Sequence, residues 1–246
     1  MNRKQWIEKC NHWKNSWPVI TEEYKANNTD HVLDIYAVLD ALNQYSNNDD
    51  IFMADAGSAS YTAPVALKAK DGQRFIFSPA QGDMGWAVPA AIGVSLASNK
   101  QVISLNGDGS FMSNIQELAV IRKHNLNIKL VILNNDGYLS IKNTQTKYYE
   151  GRVYGTNEDT GLWFPDFILI AATFGLQYAS MSLADDLHKF KEILSTPGPY
   201  IIDCKCKPQQ EILPAQALKN GKQAGLHDLY PFLSEEELNK EMIVKI

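Results

Sequence analysis

Cysteine is scarce in this sequence, long apolar runs are missing and positive charge is in deficit. Each shortage removes a class of protein. Three cysteines in 246 residues, Cys10, Cys204 and Cys206, make no disulfide framework. Cys204 and Cys206 have no second pair and no nearby histidine, so they read as strand residues rather than metal ligands. No apolar stretch approaches the ~20 residues that span a bilayer. The start, Met1 to Trp6, lacks the apolar core of a signal peptide. The expectation is a cytoplasmic protein that enters no membrane. A formal charge of −5 and a pI near 5.5 leave no basic footprint for nucleic acid. Neither G-x-G-x-x-G nor the phosphate-loop pattern G-x-x-x-x-G-K followed by Ser or Thr occurs, so the common nucleotide fingerprints are missing too.

What remains is a globular composition, 45% apolar, in a chain long enough for one large α/β domain. Residues 1-29 are polar, punctuated by Trp6, Trp13 and Trp17, and read as a helical extension or linker. Residues 30-235 carry the domain and 236-246 a tail. Helical periodicity puts Val32, Ile35, Val38, Leu39 and Leu42 on one face, with Asp30 as N-cap. Asp50 to Ala54 and Phe75 to Phe77 read as strands. Gly85 to Ala97 reads as a small-residue helix buried on more than one side, with Pro89 tolerated in its first turn. Phe164 to Phe174 is helical and Leu176 to Ala179 a strand. Leu183 to Leu194 is a helix starting near Ser182 or Asp185, and Tyr200 to Cys204 is the last strand. Glu235 to Glu237 start a solvated helix. Strands alternating with helices predict a doubly wound, mainly parallel α/β sheet with helices on both faces.

The organising stretch is Val102 to Phe111. An apolar, β-branched run stops at Gly107-Asp108-Gly109 and restarts as a helical pattern through Glu117 and Ile121. A strand that breaks at glycines and opens into a helix presents backbone N–H groups to a phosphate. A second apolar run, Ile128 to Leu133, ends at Asn134-Asn135-Asp136-Gly137. Asp108, Asn135 and the Gly137 carbonyl would together offer three hard oxygens, which suits magnesium shared with a diphosphate. Either motif alone reads as an ordinary loop or turn; as a pair, each closing an apolar strand, they point to a shared site.

Gly107-Asp108-Gly109 followed by Asn134-Asn135 resembles the cofactor signature of thiamine diphosphate enzymes. Ser78 to Ala97, Asn106 to Ile121 and Leu133 to Ile141 resemble the C-terminal diphosphate-binding (PP) domain of the acetolactate synthase-like members. That resemblance implies the thiamine diphosphate-binding fold, with thiamine diphosphate and Mg2+ as cofactors. It places the metal on Asp108, Asn135 and the Gly137 carbonyl, and the diphosphate on backbone groups of Gly109 and Ser110. It directs the Gly82 carbonyl to the aminopyrimidine and makes Met84 a wedge beneath the cofactor. Taken by itself, Met84 reads as a core methionine on a buried helix. Asp83, Gly107, Asn135 and Ile141 belong to the same implied cofactor-binding set. Gly57-Ser58-Ala59 departs from the family, where acetolactate synthases carry Gln-His; Ser58 still offers a hydroxyl, and Ala59 offers nothing.

The family needs a glutamate on a separate pyrimidine-binding domain to activate the cofactor, and the active site forms between the two domain types. Only the diphosphate-binding type is recognisable here. The expectation is therefore half of a carboligase or decarboxylase acting on pyruvate or a related small 2-oxo acid, inactive alone. It would be completed in a homo- or hetero-oligomer by a partner carrying that glutamate. With no flavin-binding middle domain, no FAD is expected. Two other readings stay open: a catalytically silent cofactor-binding or assembly subunit or fragment, and the β-subunit of a 2-oxo acid oxidoreductase. Three scattered cysteines argue against the latter, which usually carries iron–sulfur ligands. Tyr148 to Gly155, aromatic and glycine-rich, reads either as an active-site lid or as a surface loop. His124 reads as a solvated histidine at a helix end, and His31, His188 and His227 lack spacing that suggests catalysis.

Overall fold

The structure, a computed structural model, describes residues 1–26 and 31–244. Along the chain the elements are α1 (Arg3–Ser16), α2 (Glu22–Ala26), α3 (Ile35–Tyr45), β1 (Ile51–Ala54), α4 (Ser58–Ala66), β2 (Arg74–Phe77), α5 (Ala87–Ser98) and β3 (Val102–Gly107). There follow α6 (Asp108–Met112), α7 (Leu118–Lys123), β4 (Ile128–Asn134), α8 (Leu139–Tyr148), α9 (Phe167–Phe174), β5 (Gln177–Met181), α10 (Phe190–Ser195) and β6 (Tyr200–Lys205). A short hairpin, β7 (Leu218–Lys219) and β8 (Lys222–Gln223), and α11 (Glu235–Glu241) complete the described elements, so Tyr200 to Cys204 is the last strand of the main sheet but not of the chain. Two compact units emerge, one of residues 20–210 and one of residues 1–19 with 211–246.

In the larger unit six parallel strands lie in the order β2-β1-β3-β4-β6-β5. β1 and β4 are buried along their whole length and β3 up to Asn106, which is why their sequences are continuous apolar runs rather than alternating ones. Ala54 pairs with Leu105, and Gly107 with Leu133, so the C-terminal ends of β1, β3 and β4 finish side by side. From β1 the chain moves outward to β2, then returns across β1 to β3. That reversal is the topological switch point, where parallel sheets open a crevice.

Against the sheet, Val88, Ala91, Phe111, Leu118, Ile121, Phe167 and Ile170 join Met53, Leu130 and Ile132 in one apolar core. α3 begins at Ile35, and its N-cap is Asp34, whose carboxylate accepts the Tyr36 N–H at 2.9 Å. Asp30, the N-cap expected from the sequence, lies outside the described residues, and the helix begins later than that expectation. The helical pattern after Asp108 is interrupted: α6 gives way to a 3-10 turn at Ile115–Glu117 before α7. Asn114 leaves helical geometry there (φ −134°, ψ 36°) and its side chain donates to the Gly85 carbonyl at 2.9 Å. α9 starts at Phe167, not Phe164, because Pro165 disfavours helical backbone at the residue before it. Leu183 to Leu194 is a 3-10 segment, Ala184–Lys189, continued by α10, and the carboxylate of Asp186 takes the N–H groups of Ser182 and Leu183.

Lys129 sits fully buried near the start of β4, at the sheet edge opposite the crevice. Its Nζ donates to the carbonyls of Thr196 (2.5 Å) and Gly198 (2.6 Å) and lies 5.6 Å from the Tyr200 ring centroid. Burial lowers its pKa to about 8, against a smaller pull from Asp50. A neutral amine still has two N–H donors for two carbonyls, so it loses neither bond on deprotonation. Between about pH 8 and pH 10.5 the unfolded chain keeps this proton while the folded one releases it, so stability contributed by Lys129 rises with pH. Urea denaturation of wild type and Lys129→Met at pH 7.5 and pH 10 is expected to show the wild type gaining on the variant, on the order of 2 kcal/mol. A constant difference between the two proteins would show that Lys129 stays charged when buried.

In the smaller unit α1 and α11 each begin with a capping box, Asn2 with Gln5 and Ser234 with Glu237. Glu241 accepts from Lys9, from Trp13 Nε1 at 2.8 Å and lies 3.1 Å from His12 Nε2. Led by the Lys9 bond, these contacts hold its carboxyl down at about 2.

Candidate active site

Three strand ends build a cleft at the switch point. At the end of β1, Asp55 is 1% exposed and acts as a tie. Its Oδ1 accepts the Ala56 N–H (3.0 Å) and its Oδ2 accepts the Gly85 N–H (3.1 Å), which also reaches Ser110 Oγ (3.2 Å). One carboxylate thus joins the turns after β1, before α5 and after β3. Burial pushes its pKa up, and the N–H donors pull it back. Sequence reading passed over Asp55; the available signal was a carboxylate directly following a wholly apolar strand.

After β3, Asp108 is also 1% exposed. Its partners are all backbone N–H groups: Gly109 on Oδ1 at 2.7 Å, Asn135 and Gly137 on Oδ2 at 3.0 Å each. Burial raises its pKa to about 7, with the three donors working in the other direction. The turn it grips allows no side chain at two places. A Cβ on Gly137 (φ +146°) would lie 1.8 Å from the Thr156 carbonyl oxygen, and one on Gly109 would lie 2.2 Å from the Tyr138 ring. The turn is anchored from below as well. Asn134 Nδ2 donates to Asp203 Oδ1 (2.9 Å), and Asp203 Oδ2 receives Tyr178 Oη (3.1 Å) and pairs with Lys205 (3.0 Å).

With Asn134 occupied in that network, Asn135 lines the cleft, and its Oδ1 is buried with no hydrogen-bond partner among the described residues. A buried amide oxygen without a partner costs about 1–3 kcal/mol, so it calls for a hydrogen-bond donor or a cation from outside the chain, water included. Beside it Asp108 has used three of roughly four acceptor positions, and the Gly137 carbonyl accepts the Leu139 N–H (3.1 Å) with one lone pair left. Among the described residues no cluster of three or more His, Cys, Asp or Glu could hold a metal. What exists is a sparse, all-oxygen set that a hard cation would have to complete with oxygens from water or a phosphate.

The cleft brings together most of the residues singled out from the sequence. Ser58, Gly82 and Met84 line one part of it; Gly107, Asp108, Gly109 and Ser110 line another. Asn135, Gly137 and Ile141 close it. Asp83 is not among the lining residues and is exposed. Met84 lies in the turn before α5 and is 40% exposed at the cleft, not packed in a buried helix. Ala56, Tyr138, Leu139 and Ser140 also line the cleft and were not anticipated. The last two form the first turn of α8, a helix that the sequence reading did not recognise. Tyr148 ends that helix; beyond it Gln145 grips Tyr154 through both its N–H (3.0 Å) and its carbonyl (3.2 Å). The Thr156 carbonyl then accepts the Tyr138 N–H at 2.9 Å, which returns the loop to the cleft.

A six-stranded parallel sheet with a phosphate-type turn at its switch point and a paired Asp/Asn oxygen set defines a cofactor-binding α/β domain. The family model described as "Thiamine pyrophosphate enzyme, C-terminal TPP binding domain" matches residues 55–204, and the chain belongs to that family. Its cofactor class is accordingly thiamine diphosphate. Acetolactate synthase large subunit of Cyanidium caldarium is 31% identical over 226 residues, covering 90% of this chain and 37% of the relative. The chloroplastic acetolactate synthase of Arabidopsis thaliana is 32% identical over 179 residues, covering 70% and 27%. Among solved structures, a thiamine diphosphate-dependent 4-hydroxybenzoylformate decarboxylase from Rhodococcus jostii RHA1 matches with a TM-score of 0.66 and 26% identity, over 74% of this chain and 34% of that one. The chain thus spans about a third of the length of the relatives it matches. No helix among the described residues is long and apolar enough to cross a membrane.

Proposed function

We propose that this chain is the diphosphate-binding half of a thiamine diphosphate- and Mg2+-dependent carboligase or decarboxylase of the acetolactate synthase type. Its substrate is pyruvate or a related 2-oxo acid. The observation that carries this is the unpartnered Asn135 Oδ1 beside a backbone-gripped Asp108, an oxygen set suited to a hard cation. Asp108, Asn135 and the Gly137 carbonyl would hold Mg2+, and the turn at Gly107 to Ser110 the diphosphate. Met84, half out of the wall, would support the rings from beneath and keep water from them. When bound, thiamine diphosphate supplies an electron sink for cleaving and forming bonds next to a carbonyl. This chain's own part is to fix and orient it.

Two observations support a partner. The cleft encloses about 190 Å³, below the ~300–1,000 Å³ of pockets that surround a ligand. No glutamate lines it. A pyrimidine-binding domain or subunit with the activating glutamate would supply the missing wall and the missing acid. Calorimetric titration with thiamine diphosphate, in Mg2+ and then in EDTA, is expected to show binding that EDTA removes. Absence of binding, both alone and with a glutamate-bearing pyrimidine domain, would overturn the proposal.

A further inference from the structure

Asp203 is 1% exposed and lies in β6, opposite Ile132 of β4 on the sheet face that carries the apolar core. A buried carboxylate in such a place is costly unless it is fully bonded, and this one is. Its Oδ1 accepts Asn134 Nδ2; its Oδ2 accepts Tyr178 Oη and pairs with Lys205. Two of these partners have little need of it. The Lys205 side chain is 41% exposed, so water can serve its ammonium. Tyr178 is half-buried on the edge strand β5, where a phenylalanine would fill the same space. Asn134, buried at the last position of β4, is the partner that depends on Asp203.

Asn134 stands between Asp203 and the turn that follows it. Side chains alternate along a strand, so Asn134 meets Asp203 on the core face while Asn135 turns into the cleft. With its Nδ2 given to Asp203, Asn134 offers its Oδ1 to the Asp136 N–H at 3.5 Å, and its main-chain carbonyl accepts the Cys206 N–H at 2.6 Å. Asp203 thus decides which end of the amide faces the turn. From the other side Asp108 holds the N–H groups of Asn135 and Gly137. Two carboxylates therefore clamp one turn, and of the two only Asp108 lines the cleft. Burial and the Asp203 charge push the Tyr178 hydroxyl up to about 12, so it remains a donor to Asp203 at neutral pH.

We propose that Asp203 is a positioning residue for the cation site: acting through Asn134, it holds the Asn135 amide oxygen and the Gly137 carbonyl in place for a hard cation. The inference rests on the thiamine diphosphate and Mg2+ reading above. Asp203 touches neither cofactor nor metal, and no proton or electron moves.

The test compares wild type, Asp203→Ala, Asp203→Asn and Asn134→Ala in binding thiamine diphosphate with Mn2+, which takes the same oxygen ligands as Mg2+. Each protein is measured alone and with a glutamate-bearing pyrimidine domain. Calorimetry reads affinity, and the electron paramagnetic resonance of Mn2+ reads ligand geometry. Asp203→Ala is expected to weaken binding by about 10-fold, the low end for outer partners of metal ligands, and to broaden the Mn2+ lines. Asn134→Ala, which leaves Asp203 its other two partners, should do the same and decides the matter if Asp203→Ala fails to fold. Asp203→Asn still presents an oxygen to Asn134 Nδ2 and should bind within about threefold of wild type. Wild-type affinity and Mn2+ lines in the alanine variants, with only their urea stability lowered, would overturn the proposal and leave the cofactor reading standing. Asp203→Asn as weak as Asp203→Ala would overturn the route through Asn134, because charge and not that bond would then matter. A wild type that binds in neither setting would overturn both readings.

Discussion

Asp108→Ala is expected to abolish magnesium-dependent binding of thiamine diphosphate, a loss of at least 100-fold. Removing an outer partner of a metal ligand alone costs about 10- to 100-fold, and here the charge that would face the cation goes altogether. Alanine also strands three buried donors, the N–H groups of Gly109, Asn135 and Gly137, at about 1–3 kcal/mol each. The turn would loosen as well. Asp108→Asn separates the two effects in part: its one remaining oxygen can keep the N–H groups of Asn135 and Gly137, its amide nitrogen then faces the Gly109 N–H, and its charge is gone. Calorimetry in Mg2+ and EDTA, with urea denaturation alongside, should find Asn folded and weakly binding, and Ala weaker on both counts. Affinity for the cofactor unchanged in Asp108→Asn would remove this carboxylate from the metal site.

Gly137→Ala should be the most damaging single methyl group that the described residues allow. The added carbon would sit 1.8 Å from the Thr156 carbonyl oxygen, a backbone atom that cannot rotate away, and φ is +146°. Overpacking of this kind costs about 1–3 kcal/mol, and the strained φ adds about 1 kcal/mol. A loss near 3 kcal/mol would lower Tm by about 6 to 12 °C in a chain of this size. Gly93→Ala makes the comparison: a Cβ there meets nothing within 4 Å, in the middle of α5. It should raise stability by about 0.5–1 kcal/mol. Thermal unfolding followed by circular dichroism reads both. A Gly137→Ala protein as stable as wild type would show that the loop at Thr156 moves aside.

The strands were legible because burial on both faces writes itself as unbroken apolar runs, as in Ile128 to Leu133. The Gly-Asp-Gly turn was legible as one of a pair: alone it reads as an ordinary loop, and the Asn-Asn turn closing the next apolar run made the two a shared site. Harder to see was anything settled by a distant residue. The pattern from Asp108 to Ile121 stays helical in its apolar spacing, yet the helix breaks where Asn114 turns to hold the Gly85 carbonyl. The start of α3 was misread as well: Asp30 read as its cap, and Asp34 caps it. The order of the strands, and with it the meeting of Asp55 with Gly85, follows from how β1, β3 and β4 align, which no local window contains. Asp203 was hidden for a related reason. Nothing in the run from Tyr200 to Cys204 says that its carboxylate meets Asn134 of the neighbouring strand.

Asp55 and Asp108 are held by main-chain N–H groups, and main-chain donors exist whichever side chain occupies the position. The consequence is evolutionary. The side chain of Ala56, which lines the cleft, can change while the main-chain bonds beneath it stay put. A lineage built on this frame can vary that side chain and inherit the same turns each time.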